Sequence, residues 1–339
     1  MILLTGATGF LGSHLTRELL RRGVKFKALC RALPPIECGT SWALAQVRGE
    51  GQEKMEWVEG DVNDPEGLLE IFEDVDVIIH TAAKVSFQYE DRDELLKVNG
   101  EGTANVVNMA LEAGVKHLVY VSSVSVLNRV PDGPVVTLAD RWPAQRPNSA
   151  YAESKFDAER AVWRGQAEGL SVSVVYPSTI IGVGDFAGTN TPSLWRHVAK
   201  ERSFYPTGRA GFVDVQDVVD AILHLADTQI DGQRILLNAD NLTWKEFLEQ
   251  AAASIDAEPP TRSMPAWQSA FLWPVDKVRT MITGQKPIIT RETHRSTQSD
   301  FRYDGSSFTE ILSKPYRDIY DTIRRVGTAY LSHRSEARP

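Results

Sequence analysis

Thr5-Gly6-Ala7-Thr8-Gly9-Phe10-Leu11-Gly12-Ser13-His14 decides the fold, because it joins an apolar run, Met1–Thr5, to an amphipathic segment, Leu11–Arg22. Gly6, Gly9 and Gly12 recur every third residue. Glycines at this spacing allow a tight turn and close approach of backbone to a pyrophosphate, whose charge the N–H groups and dipole of the following helix stabilise. A Gly-rich turn alone says little. Set between a first strand and a first helix, it predicts a dinucleotide site.

Working outward, Val24–Leu29, Met55–Glu59, Val75–His80, His117–Ser122 and Ser171–Tyr176 read as further short apolar strands. Asp93–Ala113 and Ser149–Glu168 carry apolar residues at spacings of three and four, the mark of amphipathic helices. The alternation predicts an α/β fold with a doubly wound parallel sheet of Rossmann type. Residues 33–54 open on Pro34-Pro35 and read as loop or a weakly specified helix. Beyond Tyr176, Gly182, Gly184, Gly188 and Pro192 break the rhythm, and Val213–Leu225 restores a helix. Ile235-Leu-Leu-Asn238 reads as a strand of a second lobe, and Thr243–Ser254 as a helix with Thr243 and Glu246 forming a capping box. The expected organisation is a dinucleotide-binding domain over 1–178, with part of 205–230 packing back on it. A smaller C-terminal substrate lobe follows, mainly over 179–331, and then a frayed tail over 332–339.

The 339 residues are 42% hydrophobic and 24% charged, enough to bury a large core. With 37 basic and 45 acidic side chains the net charge is −8, which disfavours a phosphate-backbone binder, so no nucleic-acid partner is expected. No run reaches the ~18 apolar residues that a membrane span needs. Met1-Ile-Leu-Leu leads directly into Thr5-Gly6 without a basic leader, so no signal peptide is expected. Cys30 and Cys38 stand without a histidine cluster and read as reduced thiols, pointing to a cytoplasmic protein. The seven histidines lack metal-ligand spacing, so no metal site is expected.

Tyr151-Ala-Glu-Ser-Lys155 is the second chemical signal. Residues four apart on a helix share a face with Cβ atoms ~6 Å apart. An ammonium beside a phenol favours the phenolate, so Lys155 is expected to lower the pKa of Tyr151 and make it a proton donor at neutral pH. A chance pair on a surface helix would look the same.

Three motifs in order resolve that ambiguity: the Gly-rich turn, Val121-Ser122-Ser123 ending a strand, and Tyr151/Lys155 on the next helix. With them the chain resembles the extended short-chain dehydrogenase/reductase family. Gly60-Asp61-Val62, His80-Thr-Ala-Ala83, Val98-Asn99, Gly102-Thr103, Asn105, Tyr176-Pro177-Ser178 and Gly211–Asp217 extend the resemblance over about the first 230 residues. It implies that Tyr151 is the catalytic acid/base, Lys155 holds the nicotinamide ribose, and Ser123, with Ser122 as the alternative, bonds the reacting oxygen. It implies further that Gly6, Thr8, Gly9, Phe10 and Leu11 hold the pyrophosphate. Asp61 and Val62 would face the adenine, while Thr81, Ala82, Ala83, Tyr176, Pro177 and Ser178 would line the rest of the cofactor. Asp214, where many relatives carry His, and Val183, where Pro is usual, depart from the pattern.

Three functions compete: a carbonyl reductase or alcohol dehydrogenase, a sugar-nucleotide epimerase or dehydratase, and a non-catalytic dinucleotide sensor. The Tyr/Lys pair opposes the sensor. Val124-Ser125 after Ser123 replaces the Asp-Glu pair typical of the family's dehydratases, and Pro177-Ser178-Thr179 lacks the Asn of many nucleotide-sugar enzymes. Asn148–Glu159 is similar to the branch of dihydroflavonol reductases, aldehyde reductases and 3β-hydroxysteroid dehydrogenases. Arg31, after Leu29-Cys30, suits a 2′-phosphate, so NADP is expected before NAD. Trp267, Phe271, Trp273, Met281 and Ile282 in Met264–Ile289 suggest an apolar pocket wall and an apolar or aromatic carbonyl substrate, with buried core packing as the alternative reading. A monomer or homodimer is expected.

Overall fold

The computed structural model describes residues 1–33, 52–140, 142–143, 147, 149–188, 191–200, 203–264 and 291–336. The first half runs β1 (Ile2–Thr5), α1 (Phe10–Arg21), β2 (Phe26–Cys30), β3 (Met55–Glu59), α2 (Pro65–Ile71), β4 (Val77–His80) and α3 (Arg92–Leu95). A π-helical turn, Leu96–Glu101, links α3 to α4 (Gly102–Glu112), followed by β5 (His117–Val121), α5 (Ala150–Ala167) and β6 (Ser171–Pro177). The second half runs β7 (Thr179–Ile181), α6 (Leu194–Val198), β8 (Phe204–Pro206), β9 (Arg209–Asp214), α7 (Val215–Thr228) and β10 (Arg234–Leu237). Then come β11 (Asp240–Thr243), α8 (Trp244–Ala253), β12 (Arg262–Met264), α9 (Arg291–Gln298), α10 (Ser306–Leu312) and α11 (Ile319–Glu336).

Seven strands form one sheet in the order β10-β6-β5-β4-β1-β2-β3, with every pairing parallel. Helices cover both faces, so the central strands are apolar on both sides rather than alternating with polar residues. Leu3, Ile78, Leu118 and Val174 point to the face covered by α2, α4 and α5, where Leu68, Val106 and Val162 meet them. Their neighbours Leu4, Ile79, Val119 and Val175 point to α1 and α7, against Leu15, Leu19, Val218 and Ile222. Each of these aliphatic side chains is buried, and burying one contributes about 1.5–3 kcal/mol. Between β1 and β4 the strand order reverses, which opens a crevice at the C-terminal ends of those strands.

Three differences from the sequence-based expectation concern the second half. Ile235-Leu-Leu is not a strand of the smaller lobe: β10 pairs with β6, from Arg234 opposite Val174 to Leu237 opposite Pro177, and completes the main sheet. The stretch expected to fray is helical as far as Glu336, where α11 ends, with residues 332–335 exposed. Asp214 is a structural joint. It caps α7 by accepting from Gln216 N at 2.7 Å, accepts from Thr322 Oγ1 at 2.6 Å, and pairs with Arg325.

The smaller core lies around the three-stranded sheet β11-β9-β7 and holds Ile181, Trp195, Phe212, Leu242 and Phe247. Phe212 and Phe247 stack with centroids 4.8 Å apart. The capping box forms, with Glu246 N donating to Thr243 Oγ1 at 3.1 Å and Thr243 N to Glu246 Oε2 at 2.7 Å. Cys30 is a buried free thiol, whereas Cys38 lies outside the described residues. Among the described residues, no helix is long and apolar enough to cross a membrane.

Candidate active site

The crevice begins at the turn after β1. Gly6 takes φ +71°, and a Cβ there would lie 2.7 Å from Ala82 N and 2.8 Å from Thr81 Oγ1. A Cβ on Gly12 would lie 2.0 Å from Gly6 O. The turn thus closes only because both positions lack side chains. Gly9 N donates to Gly6 O at 2.9 Å, and Gly9 then occupies the N-cap of α1 with no side-chain cap. The first N–H groups of a helix have no acceptor within it, so a pyrophosphate fits at Phe10 and Leu11. Thr8 and Gly9 are exposed at the mouth, and Leu11 is buried beneath it.

The end of β4 is bonded to the same turn. Thr81 Oγ1 donates to Thr5 O at 2.7 Å, and Ala82 N donates to Thr5 Oγ1 at 3.2 Å. His80 lies between Thr5 Oγ1 at 2.7 Å and Thr103 Oγ1 at 3.0 Å. Burial, then the charge of Lys155, pulls its pKa down to about 3, so it is a neutral link. Arg31 is exposed one residue beyond β2, on the side of the crevice where an adenosine ribose would lie. Asp61 accepts from Asn63 N and Nδ2, both at 2.9 Å, while Val62 is turned into the core against Gly102.

At the other end of the crevice, β5 and α5 bring Ser123, Tyr151 and Lys155 together. Ser123 stands beside the Tyr151 phenol and accepts from Ser125 N at 3.1 Å. Ser122, its alternative, is turned away and donates to Glu159 Oε2 at 2.5 Å. Lys155 is buried on the next turn of α5, donates to Val121 O at 2.6 Å, and sits 4.4 Å above the Tyr120 ring.

The electrostatics correct one expectation. Desolvation pushes the Tyr151 phenol up to about 12, and the neighbouring Ser123 hydroxyl only partly offsets it. Lys155 does not bring the phenol towards neutrality. Its own ammonium is pulled down to about 7 by burial, against the opposing charge of Glu159. The two side chains share a helix face, as their spacing requires, but burial dominates both.

The strand end at Tyr176-Pro177-Ser178 contributes differently from the expectation. Tyr176 is buried and its hydroxyl is committed to Glu159 Oε1 at 2.9 Å, so its side chain does not line the crevice. Pro177 ends β6, and Ser178 Oγ is buried without a partner among the described residues. Residues 265–290, which hold the expected apolar wall, lie outside the described residues. An exposed apolar row lies on the segment after β4. Ala83, Val85 and Phe87 are exposed in alternation with Lys84, Ser86 and Gln88, and Phe87 meets Tyr151 edge-on with ring centroids 6.1 Å apart. Asn99 holds this segment by accepting from Lys84 N at 2.8 Å and donating to Lys84 O at 2.9 Å. The period of two after His80 is visible in the sequence; its place beside Tyr151 is not.

Known proteins resemble this chain in sequence and in fold. A model of the NAD-dependent epimerase/dehydratase family matches residues 2–237. The putative dihydroflavonol 4-reductase of Synechocystis sp. is 28% identical over 325 residues, covering 93% of this chain and 90% of that protein. Sterol demethylase protein B of Methylococcus capsulatus is 33% identical over 256 residues, covering 73% of this chain and 72% of its own length. The structure of DesIV, a dTDP-glucose 4,6-dehydratase from Streptomyces venezuelae with NAD and TYD bound, superposes with a TM-score of 0.78 at 20% identity. It covers 100% of this chain and 99% of its own, a likeness of fold. With its Gly-rich turn at the switch point of a parallel sheet and its Ser, Tyr and Lys gathered beside it, the chain belongs to the NAD-dependent epimerase/dehydratase family, enzymes that use a nicotinamide dinucleotide to act on alcohol and carbonyl groups.

Proposed function

We propose that the protein is an NADP(H)-dependent reductase that converts an aldehyde or ketone to an alcohol. The observation that carries this reading is that Ser123, just past the C-terminal end of β5, stands beside the Tyr151 phenol, with Lys155 one turn further along α5. When bound, the dinucleotide supplies the hydride. Ser123 bonds the carbonyl oxygen, and Tyr151 delivers the proton to it as negative charge develops. A phenol held near 12 is protonated throughout the neutral range. It is still a much stronger acid than an aliphatic alcohol, so transfer to a nascent alkoxide runs downhill. Lys155 holds the ribose beside it.

Val124 and Ser125 follow Ser123, so this stretch offers no acid/base pair for removing water from a sugar. The exposed row Ala83, Val85 and Phe87 beside Tyr151 supports a substrate with an apolar or aromatic flank. Arg31 supports NADP over NAD, because a guanidinium pairs with a 2′-phosphate in a bidentate manner. The deciding test follows NADPH oxidation with aromatic, aliphatic and polar carbonyls, alongside thermal shifts with UDP-sugars. Tyr151→Phe should retain cofactor binding and lose ~10²–10⁴-fold in kcat. Unchanged carbonyl turnover in that variant would remove Tyr151 from the mechanism, and a large shift with a UDP-sugar with no carbonyl turnover would replace this reading with an epimerase.

A further inference from the structure

Tyr151, Lys155 and Glu159 stand at i, i+4 and i+8 of α5 and so form one stripe of the helix. The first two have roles in the proposed reaction; Glu159 has none, yet it is only 2% exposed. Its Oε1 accepts from Trp142 Nε1 at 3.0 Å, Trp163 Nε1 at 3.1 Å and Tyr176 Oη at 2.9 Å. Its Oε2 accepts from Ser122 Oγ at 2.5 Å. Four donors therefore converge on one carboxylate from the end of β5, from β6, from α5 itself and from the segment before α5.

A buried charge is costly even when fully bonded, and well-packed apolar side chains often stabilise a core as well or better. What a neutral side chain in that place would lack is the field of an anion. The groups around Lys155 identify where that field acts. From β5 come the Tyr120 ring and the Val121 carbonyl, from β4 the neutral His80, from α5 Tyr151 and Glu159, and from β6 Tyr176 behind Glu159. Glu159 is the only anion in that set. Its hydrogen bond to Ser122 also fixes the residue that precedes Ser123.

We infer that Glu159 is a positioning residue of this active site, which keeps Lys155 an ammonium and, through Ser122, fixes the backbone that presents Ser123 to Tyr151. The inference rests on the reductase reading above. The electrostatics agree in sign: burial brings Lys155 down to about 7, and the charge of Glu159 opposes that fall. Removing the charge makes Lys155 lose its proton at still lower pH.

The experiment compares pH profiles of kcat for NADPH-dependent carbonyl reduction, between pH 5 and pH 9, in the wild type, Glu159→Gln, Ser122→Ala and Tyr151→Phe. In Glu159→Gln the alkaline limb should move about one unit to lower pH, the scale of a single neighbouring charge, giving about tenfold lower turnover beyond it. Ser122→Ala should lower kcat several-fold and leave the limb in place. A merely structural role for Glu159 would lower the amount of folded enzyme without moving the limb. A Glu159→Gln profile superimposable on the wild type overturns the inference. Should Glu159→Gln not fold, Ser122→Ala decides, and turnover equal to wild type at every pH overturns it. The wild type and Tyr151→Phe keep the two readings apart: no carbonyl turnover by the wild type ends the reductase reading itself, whereas wild-type turnover that Tyr151→Phe loses, beside an unshifted Glu159→Gln, leaves that reading standing and overturns only the role of Glu159.

Discussion

Adjacent serines with opposite environments show how much depends on single side chains here. Ser123 faces the Tyr151 phenol, and Ser122 faces Glu159, because successive residues at a strand end point to opposite sides. Phe87 illustrates the same point from across the crevice, since its ring is 42% exposed while its edge meets Tyr151. An aromatic contact of this kind is worth about 0.5–1.5 kcal/mol beyond burial. Phe87→Ala should therefore lower kcat/KM for an aromatic aldehyde by roughly tenfold relative to acetaldehyde, with the dissociation constant for NADPH unchanged. Equal losses for both substrates would exclude Phe87 from the substrate wall. For the dinucleotide, Arg31→Ala should raise the KM for NADPH far more than that for NADH, because only the former carries the phosphate that a guanidinium pairs with. Steady-state kinetics with both dinucleotides checks it, and equal effects would remove the preference.

The turn between β1 and α1 was legible from its glycines, and the structure supplies the reason in distances. A methyl group on Gly12 would overlap the Gly6 carbonyl at 2.0 Å, and that atom belongs to the backbone, which cannot swing aside. Gly12→Ala should displace the first turn of α1 and abolish the thermal stabilisation that NADPH gives. Gly100→Ala, whose Cβ would meet Asp157 Cβ at an ordinary 3.7 Å, should retain it. The six strands from β1 to β6 were also legible, because short apolar runs between amphipathic helices leave few alternatives. The sheet that holds β10 is not legible, since Ile235-Leu-Leu reads the same whichever sheet receives it and its partner β6 lies 60 residues earlier, with Arg234 opposite Val174. Glu159 was invisible for a similar reason. A glutamate on a helix reads as solvated until Trp142 and Tyr176, distant in sequence or across a strand, are folded over it. The rise in the Tyr151 pKa likewise depends on burial, which spacing along a helix does not reveal.

Across the whole molecule, three histidines are packed as neutral groups, one at each joint of the main domain. His14 on α1 is held by Val183 O at 2.8 Å and Gln216 Nε2 at 2.9 Å, which ties α1 to the loop after β7 and to α7. His80 joins β4 to β1 and α4, and His117 on β5 joins Ser171 and Ser173 of β6 at 2.8 and 3.0 Å. Burial is the leading cause in all three and lowers them from 6.5 to about 4 for His14, about 3 for His80 and about 4 for His117. An unfolded chain takes up these protons as pH falls through 6.5, while the folded chain refuses them until about 4. The contribution of these histidines is therefore intact above pH 6.5 and declines between 6.5 and 4. With three protons at stake, the slope approaches about 4 kcal/mol per pH unit. Glu18 and Asp76, both held at about 2 by hydrogen bonds to cations, lose their contribution in a lower window, below their ordinary values of 4.5 and 3.8. The two windows separate the causes. Urea denaturation at pH 7, 6 and 5 should show unfolding free energy falling steeply before Glu18 and Asp76 titrate, and His117→Asn should flatten that fall by about a third, one proton of the three. A free energy that stays level from pH 7 to pH 5 would mean that these imidazoles reach water in the folded protein and are not the neutral joints their contacts describe.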